Sequence, residues 1–472
     1  MRFKNPRNKS FVEYLCVILC LAFLSTACQP DDYTETFDTP LAFSTDTVFF
    51  DTVFTSFGTA TLRFKAYNRS SKNIRVQRIQ LAGGESSPYR LNVDGQSGLS
   101  FEQVDIGARD SIFIFVDVNI DPQNESNPFV VVDSLVFQST NHLQDVKLVA
   151  YGRDAYIHRG SRHCNERWQN DKPHVVVDAA YVDSNCTLEI DAGTEVYFSN
   201  GAGLVVFGQL QSQGTVEQPN KFLHFRRESG FDNQPGQWYG LWFLPSSGGN
   251  VLENTLIRNP NFGLRIDSLS PTAMPKVLLN NVQIDNPGQS GILGYTAEVV
   301  GLNVLINNFC NYAIQAELGG NYEFVHASFI GSNCFCTRRT SSLAFSNQDF
   351  VDLNDNTVAN DLNVTILNSI IWGNSQEEIN FIGGGAGEIN IGLDYNLIRT
   401  QDEGILELEN HIFNENPNLQ AACSQDFMPR ENSAVIGFGN PEYTRIAPIL
   451  EKDIYGHPRN TTSPTLGAVA PE

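Results

Sequence analysis

An asparagine-led pattern recurs through the second half of this chain and limits its fold more than any other feature. Written as Asn-x-x-apolar-x-Asn/Gly, it occurs as NTLIRN from Asn254, NVQIDN from Asn281, NVLINN from Asn303 and NSIIWG from Asn368. HASFIG from His326 keeps the pattern with histidine in the asparagine place, and DYNLIR from Asp394 follows it with aspartate for asparagine and arginine at the end. Successive starts are 27, 22, 23, 42 and 26 residues apart. The long interval equals about two repeats, or one repeat plus a loop, and the polar stretch from Arg338 to Asn363 supplies the residues.

Few architectures repeat at this length with short β-type segments. Leucine-rich repeats need a regular leucine framework, which is missing here, and TPR-like repeats are helical and longer. The remaining solution is a right-handed parallel β-helix, in which each coil contributes two or three short strands that pair in parallel with the coils above and below. Inward Val, Ile, Leu and Phe side chains then stack into one column. Asparagine at a recurring turn suits left-handed or bridge backbone conformations. At the strand spacing of about 4.8 Å, such side chains can also bond along the column.

The opening of this region, LEIDAGTEVYFSNGAGLVVFGQLQSQGTVEQPNKFLHF (188–225), alternates apolar residues between glycine-rich turns. Its elements GTEVYF, GQLQSQGTVEQP and PGQWYGLWF resemble the first coils of pectin-lyase-like β-helix proteins from bacterial surfaces, and DIYGHPRNTTSPTLGAV (453–469) resembles the terminal tag of that group. The resemblance spans 160–470 and implies a β-helix domain with a terminal cap.

Before it, the pattern is different. TLRFKAYN (61–68), IRVQRIQLAG (74–83), SIFIFVDVNI (111–120), DSLVFQS (133–139) and DVKLVAYGRD (145–154) each alternate as half-buried strands do, with turn clusters between them. Short strands at this spacing predict a β-sandwich over 43–154. The order of features resembles the ASPM/SPD-2/Hydin type of immunoglobulin-like domain, with Asn68, Gly107 and Pro122 in that family's marked places. Such domains serve as spacers or protein-binding modules, so the resemblance implies no catalysis there. The expected fold class is therefore all-β, an immunoglobulin-like sandwich followed by a right-handed parallel β-helix.

The first residues read as an address. Arg2, Lys4, Arg7 and Lys9 precede the 11-residue apolar run YLCVILCLAFL, which is too short to span a bilayer. Small residues Ser25, Thr26 and Ala27 then lead to Cys28. This resembles a bacterial lipoprotein signal over 1–27, and the resemblance implies lipidation at Cys28. The segment 28–42 is acidic and polar, which suits a tether. It resembles the export tag of Bacteroidetes lipoproteins displayed on the outer membrane and facing the medium. The chain from Cys28 onward has 27 basic and 52 acidic residues, a net charge of −25. That excludes nucleic acid and anionic headgroups as expected partners, because both need a basic footprint.

Six cysteines follow Cys28: Cys164, Cys186, Cys310, Cys334, Cys336 and Cys423. An even count in an exported chain permits disulfides. Cys310 and Cys334 trail their motif starts by seven and eight residues, which places them nearly in column on adjacent coils. Cys310 is expected to bridge Cys334 or Cys336, and Cys164 to pair with Cys186; buried free thiols are the alternative for each pair.

Chemistry is less legible. The NTD, DD and GHG motifs of pectinase-type hydrolases are absent from 160–470. A calcium-dependent lyase needs a carboxylate cluster and a basic residue to take a proton. Between 266 and 396 the basic residues are Lys276, Arg338 and Arg339. Asp349, Asp352 and Asp355 in the long loop are weak calcium candidates, with a solvated acidic loop as the plainer reading; no other cofactor is expected. Arg226, Arg227, Glu228 and Asp232 read as a charged turn, and His326 as a turn residue rather than a base. In QWYGLWF, strict alternation puts Trp238 and Trp242 on one strand face and Tyr239 on the other, a candidate platform for stacking against sugar rings. The expected function is glycan capture or adhesion, with a glycan or another surface protein as partner. A polysaccharide lyase or hydrolase and a purely structural docking protein are the competing classes.

Overall fold

The computed structural model describes residues 33–36, 38–55, 57, 61–226, 230–332, 334–351 and 355–471. The lipoprotein-like segment with Cys28 lies outside them, as do Arg227, Glu228 and Asp352. The chain divides into two compact units between Arg153 and Asp154.

The first unit has two five-stranded sheets. One runs in the order Ala42–Phe43, Leu62–Tyr67, Ser111–Val118, Tyr89–Val93, Gln96–Gly98, and is antiparallel throughout. The other runs Thr47–Phe54, Leu143–Arg153, Phe129–Gln138, Ile74–Leu81, Ser100–Ile106, with its first pair parallel. Alternate residues from both sheets, among them Phe64, Ile114, Ile79, Leu135 and Leu148, meet in one core. Asn68 closes the end of its strand. It is buried, and its Nδ2 donates to the carbonyls of Lys72 at 2.8 Å and Gly107 at 2.9 Å.

The second unit is a solenoid. Twenty-two of its described strands form one continuous sheet in which nearly every strand pairs in parallel with the strand one coil later. Three columns of strands result. The first column passes through Thr187–Ile190, Gln209–Gln213, 250–253, 277–280, 299–302, 320–325, Leu362–Leu367 and Ile389–Asp394. The second passes through Glu195–Phe198, Asn220–His224, 255–258, 282–285, 304–307, Ser328–Gly331 and Ile370–Gly373. The third passes through Gly203–Val206, Gly240–Phe243, Phe262–Asp267, 290–295, 312–317, Leu343–Ser346 and Ile379–Ile382. Ile257, Ile284, Ile306, Phe329, Ile371 and Ile398 stack in register on the inner face of the second column, all buried.

The recurring asparagines form the corners. Asn254, Asn281, Asn303, His326 and Asn368 have φ between 43° and 54°, as the chain passes from the first to the second column. The second asparagine of the motif, at Asn259, Asn286 and Asn308, is left-handed as well, with φ of 57°, 52° and 52°. Most L-residues pay for this conformation; Asn pays less, because its short side chain bonds locally. The 42-residue interval is one coil, lengthened by the hairpin Phe350–Val351/Thr357–Val358.

The segment after Phe427 packs along the outside of the solenoid. Val435, Ile454, Leu466, Ala468 and Val469 cover outward-facing Leu305, Ile330, Ile370 and Leu397. The TLGAV end of the expected cap is thus a strap laid across successive coils: Gly467 N–H donates to Asn368 O, and Ala468 N–H to Ser328 Oγ. Three disulfides are formed. Cys164 pairs with Cys186, Cys310 with Cys336, and Cys334 with Cys423, with Cα separations of 4.7, 5.5 and 5.5 Å. The last partner was not anticipated from the repeat, because Cys423 follows the final coil.

Candidate ligand-binding face

The outer side of the third column carries an interlocked group of aromatic and charged side chains. Trp242, Arg265, Leu293 and Gln315 follow one another in register on successive coils. Two residues further along each strand, Asp267, Tyr295 and Glu317 form a second register row. Parallel pairing fixes both rows at the strand spacing, so a Trp, an Arg and a Tyr are held within a few ångströms by the backbone alone.

The side chains interlock. Trp242 Nε1 donates to Asp267 Oδ2 at 2.8 Å, and Arg265 Nε donates to Asp267 Oδ1 at 3.1 Å. Arg265 Nη1 donates to the Tyr239 hydroxyl at 3.2 Å. The guanidinium carbon lies 4.3 Å from the Trp242 ring centre and 5.4 Å from that of Tyr295, within cation–π range. Tyr239 lies 5.9 Å from Trp242 and 5.8 Å from Phe262. Burial alone would lower the Arg265 pKa; bonds to Tyr239 and Asp267 outweigh it and raise it. Gln315 Nε2 donates to Glu317 Oε1 at 3.1 Å. Asp267 and Glu317 are two strands apart, about 10 Å between backbones, with Tyr295 between them.

Strict alternation misplaces one tryptophan. Trp238 and Trp242 do not share a face. Trp238 is 1% exposed, its ring stacked on Phe198 at 4.1 Å, and its Nε1 donates to Arg258 O. Gly240 between them adopts φ 128°, and a Cβ there would stand 1.8 Å from the Phe262 carbonyl oxygen. This turn resets the alternation, so Tyr239 joins Trp242 outside while Trp238 faces the core.

Lys276 lies beneath this face. It is fully buried, and its Nζ donates to Pro245 O at 3.1 Å, Ser268 Oγ at 3.2 Å and Leu269 O at 3.5 Å. Burial pushes its pKa down to about 8, against Asp267 and Glu298, which raise it. Its three acceptors hold the turn that follows Asp267.

Other candidates stand apart from this group. Arg338 is buried in an ion pair with Glu378 at 2.7 Å, and Arg339 is exposed. His326 is fully buried at an asparagine corner, with Nε2 2.9 Å from Thr444 Oγ1; burial holds its pKa well below the usual histidine value. Asp349 accepts the Ala386 N–H at 2.9 Å, and Asp355 is an exposed corner with φ 60°. Among the described residues no three His, Cys, Asp or Glu side chains cluster as metal ligands would. Arg226 stacks on Phe231 at 3.5 Å, and Asp232 O accepts from Asn259 at 2.7 Å.

Arg265, Asp267, Tyr295 and Glu317 were not read as site residues from the sequence. The signal was available: Asp267, Tyr295 and Glu317 fall at one outward strand position on successive coils, with Arg265 two residues before Asp267.

No family model matches the chain, and no curated protein matches it. Among solved structures, the catalytic unit of a thermostable GH87 alpha-1,3-glucanase from Streptomyces thermodiastaticus covers 71% of this chain and 80% of its own, at 12% identity and a TM-score of 0.29. A GH87 alpha-1,3-glucanase catalytic domain in complex with nigerose covers 72% and 82%, at 9% identity and a TM-score of 0.19. A protein of unknown function from Porphyromonas gingivalis matches 27% of this chain and 61% of its own, at 13% identity and a TM-score of 0.18. At these scores the overlays establish neither family nor activity.

Proposed function

We propose that this chain is an exported, lipid-anchored surface protein whose solenoid captures glycans on its third-column face. In this reading Cys28 carries the lipid at the outer membrane. The two-sheet unit is an immunoglobulin-like spacer, and the solenoid is a right-handed β-helix of the pectin-lyase-like kind. The observation that carries the glycan reading is the Tyr239–Trp242–Arg265–Asp267–Tyr295 group on a stiff sheet. In this reading the half-buried aromatic rings pack against the C–H faces of sugar rings, and the neighbouring carboxylates and amide take their hydroxyls. A parallel sheet needs no reordering to present them, which lowers the entropic cost of binding.

A second reading has one specific support. Asp267 and Glu317 flank Tyr295 on coils two apart, two outward carboxylates on one face, the residue pair that glycoside hydrolysis uses. Both carboxylates already hold internal hydrogen bonds, which favours binding over hydrolysis.

One experiment separates them. The chain from Gln29 to Glu472 is run by affinity electrophoresis through neutral and acidic polysaccharides, with and without calcium, and the polymers are then sized. Retention without shortening supports capture. Shortening of a polymer supports the hydrolase, and neither effect redirects the search to a protein partner.

A further inference from the structure

A second tryptophan faces outward on the solenoid, at a different column. Trp372 lies in Ile370–Gly373 of the second column, in register with Ile330 on the preceding coil. Arg399 follows Leu397–Ile398 on the next coil, its guanidinium 5.0 Å from the Trp372 ring centre. Between them opens a cleft of about 270 Å³, lined by Trp372, Gln376, Arg399, Gln401 and Asn414. A smaller cleft, about 160 Å³, adjoins the other side of Trp372.

The lining groups have bonding capacity to spare. Arg399 donates from Nη1 to Gly373 O and forms no ion pair among the described residues. By contrast, Arg258, Arg265 and Arg338 on the same solenoid each face a carboxylate. The Gln376 amide makes no side-chain hydrogen bond among the described residues, and Gln401 uses only Nε2, to Thr400 O. The neighbouring carboxylate, Glu377, does not line the cleft. Its two oxygens accept from Thr400 Oγ1 and Gln401 N–H. In a chain with 53 acidic and 31 basic residues, a guanidinium that pairs with no carboxylate among the described residues, beside an aromatic ring and open amides, can take an anion.

We propose that this cleft binds a single carboxylate-bearing sugar residue. The carboxylate takes the open edge of the Arg399 guanidinium, which suits paired N–H···O bonds. The sugar ring lies against Trp372, and Gln376 and Gln401 bond its hydroxyls. The volume admits one ring, below the range of drug-sized pockets. This site is separate from the Trp242 face and does not rest on the reading given to that face.

The test uses the chain from Gln29 to Glu472, titrated with glucuronate and with its uncharged methyl ester, and followed by tryptophan fluorescence. The expected result is a saturable response to glucuronate at a half-saturation about 10-fold below that of the ester. Arg399→Gln removes that preference. Gln376→Ala weakens glucuronate by about 3-fold while leaving the melting temperature unchanged, since the amide makes no side-chain hydrogen bond among the described residues. Trp242→Ala keeps the glucuronate response whatever it does to polysaccharide retention, so the two sites succeed or fail separately. Equal responses to acid and ester, no saturation by about 50 mM, or a glucuronate response untouched by both Arg399→Gln and Gln376→Ala would each overturn the proposal.

Discussion

Arg459 Nη2 donates to Asn303 Oδ1 at 2.9 Å, and so joins the C-terminal strap to a ladder of asparagines. Asn303 Nδ2 donates to Asn281 Oδ1 at 2.9 Å, Asn281 Nδ2 to Asn254 Oδ1 at 3.0 Å, and Asn254 Nδ2 to Gly214 O at 3.0 Å. The guanidinium is fully buried and also reaches Ala468 O. Burial lowers its pKa to about 10, with Asp453 opposing, so it stays charged at neutral pH. Arg459→Ala leaves Asn303 Oδ1 buried without a donor and removes one of the two donors to Ala468 O, which keeps the Ile454 N–H. The expected loss is about 2–4 kcal/mol in urea unfolding. A loss below about 0.5 kcal/mol would show that the strap is held by its apolar contacts alone.

The corner itself can be separated from the ladder. Asn281 has φ 54° and is 8% exposed. Asn281→Gly keeps the left-handed backbone and loses the side-chain bonds, whereas Asn281→Ala loses both. Alanine should be the worse replacement by about 1 kcal/mol, read from paired thermal or urea melts. Equal costs would mean that the hydrogen bonds, not the backbone, select asparagine.

How far these features were legible follows from the same physics. The asparagine corners could be read because a left-handed corner restricts residue choice, and the restriction repeats with every coil. Trp238 was misplaced because alternation is a property of unbroken strands, and Gly240 interrupts this one. The strap was readable only as a terminal tag, because it makes no periodic strand, and its contacts include residues far away in the chain, as in Ala468 to Ser328, 140 positions apart. Trp372 lies at the outward place of NSIIWG, so the repeat itself held that signal. Its significance depended on Arg399 of the next coil, which the motif does not specify.

Acid should loosen the first coil. His158 Nε2 lies 2.9 Å from His174 Nδ1, with both rings stacked on Trp168. Burial, with neighbouring histidines, lowers the His158 pKa to about 3; burial lowers that of His174 to about 4, although Gln169 O and Asp171 oppose it. Unfolded histidine titrates near 6.5, so the unfolded state binds protons first as pH falls. The stability these groups contribute is full above about pH 6.5 and is lost progressively down toward pH 4, by roughly 2–3 kcal/mol per group at most. Amide exchange in 156–182 should therefore quicken between neutral pH and about pH 4.5, after correction for intrinsic rates. Replacement His158→Phe should reduce the effect, and unchanged protection would contradict the assignment.

The Cys334–Cys423 bond ties the long coil to the segment after the last one, across 89 residues. Chain-entropy arguments give about 4 kcal/mol for a loop of that size. Cys423→Ser should lower the unfolding midpoint more than Cys164→Ser, whose loop spans 22 residues. The comparison is made by urea unfolding without reductant.

The account depends most on the third-column face, and retention on a glycan gel tests it most directly. Wild type is compared with Trp242→Ala and Tyr295→Ala on the polysaccharide that retains the chain most strongly. The account predicts that each variant loses affinity by about 5-fold or more, with melting temperature little changed and the polymer left intact. Wild-type retention in both variants would contradict it, because the group that carries the glycan reading would then take no part in binding.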